Sequence, residues 1–179
     1  VNLDPYTQFP KDHKFNLDIK KIEQNLGPTD NIDFMINAGG IDKAKDPKFL
    51  KKVESFENWL NTLDYISSTF SINDILKDIN KTLNGNDKKF YVIPETQEEI
   101  GQALLFYSMG LPPGRDLSNR ISLAYDSVHL VANWTIHTSK EANEKMEFIK
   151  SYAKDMGLDL EITGKVPLFH DLTPYVVTS

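Results

Sequence analysis

The chain lacks residues and segments on which several classes of protein depend. Among its 179 residues there is no cysteine, which excludes disulfides, thiolate zinc sites and thiol catalysis but does not fix the compartment. It has no run of about 18 to 20 apolar residues, the length that a membrane-spanning helix needs. With 20 basic and 26 acidic residues, its formal net charge is −6, so it also lacks the basic surface of a nucleic-acid binder.

A signal peptide is absent too, and the first residue is Val1 rather than Met. We therefore expect the chain to be a fragment of a longer protein. What it does have is a hydrophobic share of 40%, which suffices for one or two compact domains with a real core.

Alternating apolar residues predict five strands, of which the third and fourth form a hairpin around Asp126 and Ser127. Their sequences are NIDFMIN, YISSTFSI, ISLAY, VHLVANWTI and LDLEIT. Apolar residues at helical spacing predict helices before, between and after them. Asp46, Thr96 and Thr138 each precede such a helix and are predicted N-caps, the last two within capping boxes.

The predicted order of elements indicates an α+β fold, with a ferredoxin-like split βαβ sheet that carries helices on one face and is interrupted by a helical insertion. An N-terminal arm and helix occupies residues 1–28, and the first half of the α+β domain occupies 29–70. The helical insertion spans 71–115, and 116–179 contains the second half of the domain and a C-terminal tail.

Each candidate group of catalytic or metal-binding residues is explained better by an ordinary structural role. His129 and His137 lie on one predicted strand, but eight residues of strand separate them by roughly 26 Å, too far to share a metal ion. Neighbouring acids such as Glu98 and Glu99 fall in a first helical turn, where they favour the helix dipole. We therefore predict no catalytic residue, no metal ligand and no cofactor, and do not expect an enzyme.

The most unusual stretch is ALLFYSMGLPPGRDLSNR, residues 103–120. Its helix has the expected buried stripe, Ile100, Ala103, Leu104 and Tyr107, but the opposite face continues with Leu105, Phe106 and Met109 instead of polar residues. Two explanations stay open: burial on both sides of the helix, or an apolar patch for a partner, a lipid or a substrate.

The second explanation predicts a set of substrate- or partner-contacting residues and a set that ends the helix. The contacting residues are Leu104, Leu105, Phe106, Tyr107, Met109 and Leu111. Pro112, Pro113 and Gly114 are predicted to fix where the helix ends.

Three segments in order carry a resemblance to a known family. They are DPKFLKKVESFENWL, INKTLNGNDKKFYVIPET and QALLFYSMGLPPGRDLSNRISLAYDS. Together they resemble the second large extracytoplasmic loop, between the seventh and eighth membrane helices, of RND-superfamily exporters of the hydrophobe/amphiphile type with MMPL domains. The resemblance covers about residues 38–137 and extends more loosely to Phe169. Ser108, Met109, Arg115 and Ser118 depart from the family pattern and leave the substrate open.

This resemblance implies a porter domain on the periplasmic face of the bacterial inner membrane, in a proton-driven efflux transporter for lipids or other amphiphiles. Its partners would be the membrane helices and the other porter loop of the same transporter, other copies in a homo-oligomer, and the hydrophobic substrate. The family's proton-relay carboxylates belong to membrane helices, so the resemblance assigns no catalytic residue here. The alternatives are a stand-alone α+β ligand-binding or regulatory module and, third, an enzyme.

Overall fold

The computed structural model describes residues 31–163. The predicted N-terminal arm and helix and the C-terminal tail lie outside these residues, and so do His13 and His170.

The described part contains four strands and four α-helices. In chain order they are β1 Asn31–Asn37, α1 Pro47–Leu60, β2 Ile66–Ser71, α2 Ile72–Leu83, α3 Gln97–Met109, β3 Ser127–Trp134, α4 Ser139–Asp155 and β4 Asp159–Thr163. Short 3-10 helices occupy Lys43–Lys45 and Lys88–Phe90. None of the helices between residues 31 and 163 has both the length and the apolar character needed to cross a bilayer.

The four strands form one sheet in the order β2-β3-β1-β4, and every neighbouring pair is antiparallel. Phe34 in β1 lies opposite Leu130 of β3 on one side and opposite Ile162 of β4 on the other. The predicted α+β class is therefore confirmed, as a four-stranded antiparallel sheet with four helices.

One face of the sheet supplies the centre of the core. Its buried side chains in β1 and β3 are Ile32, Phe34, Ile36, Val128, Leu130, Ala132 and Trp134. These alternate with partly exposed residues such as Asp33 and Met35, because successive side chains of a strand point to opposite faces. The alternation read from the sequence thus predicts the buried face correctly for both central strands.

Helices α1 and α4 pack next to each other. In α1, the ring of Phe56 meets Phe34 of β1 edge-on, with centroids 6.2 Å apart, so this helix lies on the buried face of the sheet. One turn further, Trp59 stacks on Tyr152 of α4 at 3.6 Å. Aromatic contacts therefore join the sheet, α1 and α4.

Side-chain caps fix where three of the helices begin. Asp46 accepts a hydrogen bond from the Lys48 N–H ahead of α1, and Thr96 accepts one from the Glu99 N–H ahead of α3. Ser71 and Asp74 form a complete capping box at the start of α2. The capping box predicted at Thr138 is wrong, because that side chain makes no capping hydrogen bond.

The predicted hairpin is also wrong, since ISLAY forms no strand. Ile121 makes an isolated bridge to Val128, and the chain then turns immediately. The Ser122 hydroxyl accepts hydrogen bonds from the backbone N–H groups of Asp126 and Ser127, while Tyr125 adopts a positive φ of 54°. These local side-chain bonds hold a compact turn in place of a strand ladder.

The segment predicted as a helical insertion, 71–115, holds α2 and α3. Its buried side chains, including Ile75, Leu76 and Ile100, belong to the same hydrophobic core cluster as the sheet. The two helices therefore complete the main core and do not build a separate one.

Candidate functional site

Helix α3 carries apolar residues on both its buried and its solvent side. The predicted buried stripe is confirmed, since Ile100, Ala103, Leu104 and Tyr107 are all buried. On the other side, Leu105 and Met109 are 62% and 63% exposed. They are four residues apart and therefore lie one turn apart on the same side of the helix. We call Leu105 and Met109 the α3 surface.

The α3 surface is smaller than the set of contacting residues predicted from the sequence. Leu104, Phe106 and Tyr107 are buried in the core, where no substrate or partner could reach them without opening the fold. Leu111 is partly buried and packs against the same core. Of the six predicted residues, only Leu105 and Met109 present most of their side chain to solvent.

The helix ends before the predicted terminating residues. Helix α3 stops at Met109 and Gly110 is its C-cap, because residue 111 precedes a proline and is disfavoured in helical conformation. The next residues form a separate turn, in which the Arg115 N–H donates to the Pro112 carbonyl at 3.1 Å. Gly114 has a φ of 82°, as the third residue of a type II turn requires. Pro112 therefore ends the helix through its effect on residue 111, while Pro113 and Gly114 shape the turn that follows.

The histidines within the described residues remain separate. His129 in β3 lies beside β1, with its Nδ1 3.3 Å from the Asp33 Oδ1. Strand β3 ends at Trp134, so His137 lies beyond the strand on which it was predicted. Between residues 31 and 163, no three His, Asp or Glu side chains converge as a metal site would require.

The sequence analysis missed a buried carboxyl group on α1. Glu57 is 5% exposed and belongs to the buried side of that helix. The Thr69 hydroxyl donates to its Oε1 at 3.1 Å, and the Ser71 hydroxyl donates to its Oε2 at 2.8 Å. Strand β2 therefore supplies one donor to each carboxyl oxygen of Glu57.

A second carboxyl group, that of Asp74, lies close to Glu57, because Ser71 donates its hydroxyl to Glu57 and its backbone N–H to the Asp74 Oδ2. Two neighbouring carboxyl groups repel each other when both are ionised, so one of them tends to stay protonated. Burial and then the charge of Asp74 raise the pKa of Glu57 to about 8, against the lowering effect of the Ser71 and Thr69 hydroxyls. Glu57 is therefore the protonated member of the pair at neutral pH.

Glu57 is part of a row of polar links between α1 and the start of α2. The Leu50 carbonyl accepts from Asn73 Nδ2 at 2.9 Å, Glu54 pairs with Lys77 at 3.1 Å, and Glu57 bonds to Ser71. The α1 positions recur every three or four residues, so they form one stripe of that helix. We call these three links the polar seam.

A polar cavity of about 280 Å³ adjoins the polar seam. Its lining consists of Glu54, Glu57, Asn58, Asn61, Ser67, Ser68, Thr69, Asp74 and Lys77. This composition suits water or a small hydrophilic molecule, whereas it offers little to a lipid.

One sequence signal could have revealed Glu57. The buried stripe of α1 contains Leu50, Val53, Phe56 and Leu60, and Glu57 occupies a position in the same stripe where an apolar residue is expected. A glutamate is almost never fully buried unless it has partners, so its position alone predicts a polar partner from another element.

No protein-family model matches the chain, and no curated protein matches it either. The function must therefore be inferred from the fold, the α3 surface and the polar seam. Of these features, the α3 surface is apolar and open to solvent, whereas Glu57, Ser71 and Asn73 of the polar seam are buried.

Proposed function

We propose that the chain is an extracytoplasmic porter domain of a proton-driven exporter of the RND type, with MMPL-like domains, which handles lipids or other amphiphiles. The observation that carries this proposal is the α3 surface, because its two exposed apolar side chains lie within the segment that resembles the exporter loop. In this proposal the domain lies on the periplasmic face of the bacterial inner membrane and contacts the transporter's membrane helices and other porter loop.

The strand order supports the porter assignment. A split βαβ module places its fourth, first, third and second strands side by side, with a helix linking the first to the second and another linking the third to the fourth. The observed order β2-β3-β1-β4 is the same sequence of neighbours, and α1 and α4 occupy the two linking positions. The family resemblance implies porter modules of this ferredoxin-like kind.

The chemistry of the α3 surface suits a varied apolar ligand. Burial of the exposed area of leucine and methionine against a ligand stabilises the complex by about 25 cal/mol for each Å². The flexible thioether of Met109 also adapts to ligands of different shape. Affinity would come from these contacts, while the work of transport would come from proton movement in the membrane part of the protein.

A titration with a fluorescent hydrophobic probe such as N-phenyl-1-naphthylamine tests the α3 surface. We expect the double variant Leu105→Gln/Met109→Gln to weaken binding about tenfold, the effect of removing roughly 1.4 kcal/mol of apolar contact. The matched control is Phe148→Gln, because Phe148 is 53% exposed on a different helix, α4. Equal binding by the wild type and the folded double variant would overturn the role of this surface.

The reading frame that encodes the chain tests the family assignment separately. We expect hydrophobic runs of about 20 residues on both sides of the present sequence, since each membrane helix needs that length. A reading frame without such runs would rule out the transporter.

The polar cavity favours a second function, a stand-alone ligand-binding or regulatory module. In that case we expect a stable dimer in sedimentation experiments and an increase in melting temperature with a small hydrophilic compound. A substitution in the cavity lining, such as Asn58→Leu, should remove the ligand effect. The hydrophobic probe should then bind wild type and Leu105→Gln/Met109→Gln alike.

A further inference from the structure

Ser71 links the carboxyl groups of Glu57 and Asp74. Its backbone N–H donates to the Asp74 Oδ2 at 2.8 Å, and its hydroxyl donates to Glu57 while accepting from the Asn73 N–H. The hydroxyl of Ser71 has therefore used its only proton. Ser71 thus holds both carboxyl groups, which also line the same cavity, so a second ionised carboxylate there would repel the first.

The two carboxyl groups lie in different surroundings. Asp74 is partly exposed in the first turn of α2, where its Oδ2 accepts from the Ser71 N–H. Glu57 lies in the interior, where burial favours the neutral acid. Glu57 is therefore the group that keeps a proton at neutral pH.

Among the described residues, the cation beside the two carboxyl groups is Lys77, which pairs with Glu54 and on which the charge of Asp74 also acts. Helix α1 contributes Glu54, and α2 contributes Lys77, whose Nζ is already 3.1 Å from the Glu54 Oε2. The segment after α2 contributes Tyr91, whose pKa is raised by burial and then by the charge of Asp74. Strand β2 presents only the hydroxyls of Thr69 and Ser71.

Loss of the proton would leave two carboxylates held by the same residue, Ser71. Their repulsion could be relieved only if they separated or took up water, and the adjoining cavity provides room for water. Because Asp74 belongs to the start of α2 and Glu57 to α1, such a separation moves the two helices apart at this point.

We propose that Glu57 and Asp74 form a proton-operated latch, which holds the start of α2 against α1 when the proton is present and releases it when the proton is lost. This inference does not depend on the proposed transport function. It concerns one junction, and the packing of α4 elsewhere in the domain stays unchanged.

The direction of the pH effect follows from linkage. The pKa of Glu57 is raised from 4.5 to about 8 in the folded protein, so the folded state holds this proton more tightly than the open state does. The stabilising contribution is complete below about pH 4.5 and is lost progressively as the pH rises to about 8. If opening restores the ordinary pKa, the opening equilibrium of α2 increases about tenfold between pH 7 and pH 9.

Amide hydrogen exchange, expressed as protection factors that remove the intrinsic effect of pH, measures this opening. In the wild type we expect protection of α2 to fall about tenfold from pH 7 to pH 9, while protection of α4 stays constant. Glu57→Gln keeps the shape and a donor for Asp74 but cannot ionise, so its α2 protection should not change with pH. Glu147→Gln is the control, because Glu147 is an exposed glutamate on α4 away from the two carboxyl groups, and it should retain the wild-type fall.

Constant α2 protection in the wild type, or an equal fall in Glu57→Gln, would overturn the latch. If Glu57→Gln fails to fold, Asp74→Asn provides the second variant. Removal of the Asp74 charge lowers the pKa of Glu57, so the loss of protection should move to lower pH. An unchanged transition in Asp74→Asn would count equally against the proposal.

Discussion

The α3 surface and the polar seam depart from the ordinary pattern of a helix in opposite directions. On α3, Leu105 and Met109 are exposed where polar residues are expected. On α1, Glu57 is buried where an apolar residue is expected. The two departures differ greatly in cost, because single apolar side chains are common at protein surfaces whereas a buried carboxyl group is costly unless it is hydrogen-bonded.

Because of this difference in cost, mutations in the two regions should affect different properties of the protein. The folded state tolerates the α3 surface almost without penalty, so its exposure says little about stability and leaves binding as the property to test. In the polar seam, the buried Glu57 needs hydrogen-bond partners, and each of its carboxyl oxygens has one from β2. Mutations should therefore affect stability in the polar seam and binding at the α3 surface.

The largest effect is expected on the buried side of α3. Leu104→Ala removes a side chain that is 2% exposed, and should lower the free energy of unfolding by about 3 kcal/mol because a cavity remains in the core. Urea denaturation followed by circular dichroism measures the change. A loss below about 1 kcal/mol would mean that both sides of α3 are equally accessible, and the contrast between them would disappear.

The next effect concerns the polar seam. Ser71→Ala removes both the N-cap of α2 and a donor to Glu57, so we expect a loss of about 2 kcal/mol in the free energy of unfolding at pH 7. The Ser71 hydroxyl lowers the pKa of Glu57, so this pKa should be higher in the variant. The pH-dependent loss of stability should then extend to a higher pH than in the wild type.

Ser55→Ala serves as the control for Ser71→Ala. The Ser55 hydroxyl bonds to the Lys51 carbonyl on the exposed side of α1, away from the buried pair. Its removal should change the free energy of unfolding by less than about 0.5 kcal/mol at every pH. An equal loss in both variants would show that the Ser71 hydrogen bonds contribute no more to the free energy of unfolding than an exposed hydrogen bond does.

A smaller effect is expected at the exposed start of α3. Thr96→Ala removes a cap that accepts from the Glu99 N–H at 3.1 Å. It should lower the free energy of unfolding, measured by thermal unfolding, by about 1 kcal/mol. Thr138→Ala is the matched control, because Thr138 occupies the same position ahead of α4 without a capping hydrogen bond. Its melting temperature should stay closer to that of the wild type, and the reverse order would contradict the assigned caps.

The sequence predicted those features that depend on local pattern. The alternation in NIDFMIN predicts a strand with one apolar face, and Ile32, Phe34 and Ile36 on that face are fully buried. Asp46 and Thr96 are predicted caps and act as caps. Each of these predictions needs only the period of a strand or the first turn of a helix. The α+β class follows from the same local elements taken in order.

The polar seam could not be predicted in the same way, because its partners meet only after folding. The position of Glu57 in a buried stripe indicates that a polar partner exists, but not that β2 and α2 supply Thr69, Ser71 and Asp74. The burial of Phe106 is a similar case, since helical spacing alone placed it on the open side. Contacts between distant parts of the chain decide both outcomes.

The smallest effect is expected at the α3 surface. Leu105→Ala removes a side chain that is 62% exposed and leaves no cavity in the core, so the free energy of unfolding should change by less than about 0.5 kcal/mol. Met109→Ala should behave alike, because Met109 is equally exposed one turn further. Urea denaturation under the same conditions as for Leu104→Ala gives the comparison directly. A loss similar to that of Leu104→Ala would show that Leu105 is covered in solution, and the exposed apolar side chain would then be an internal contact and not a site for a substrate.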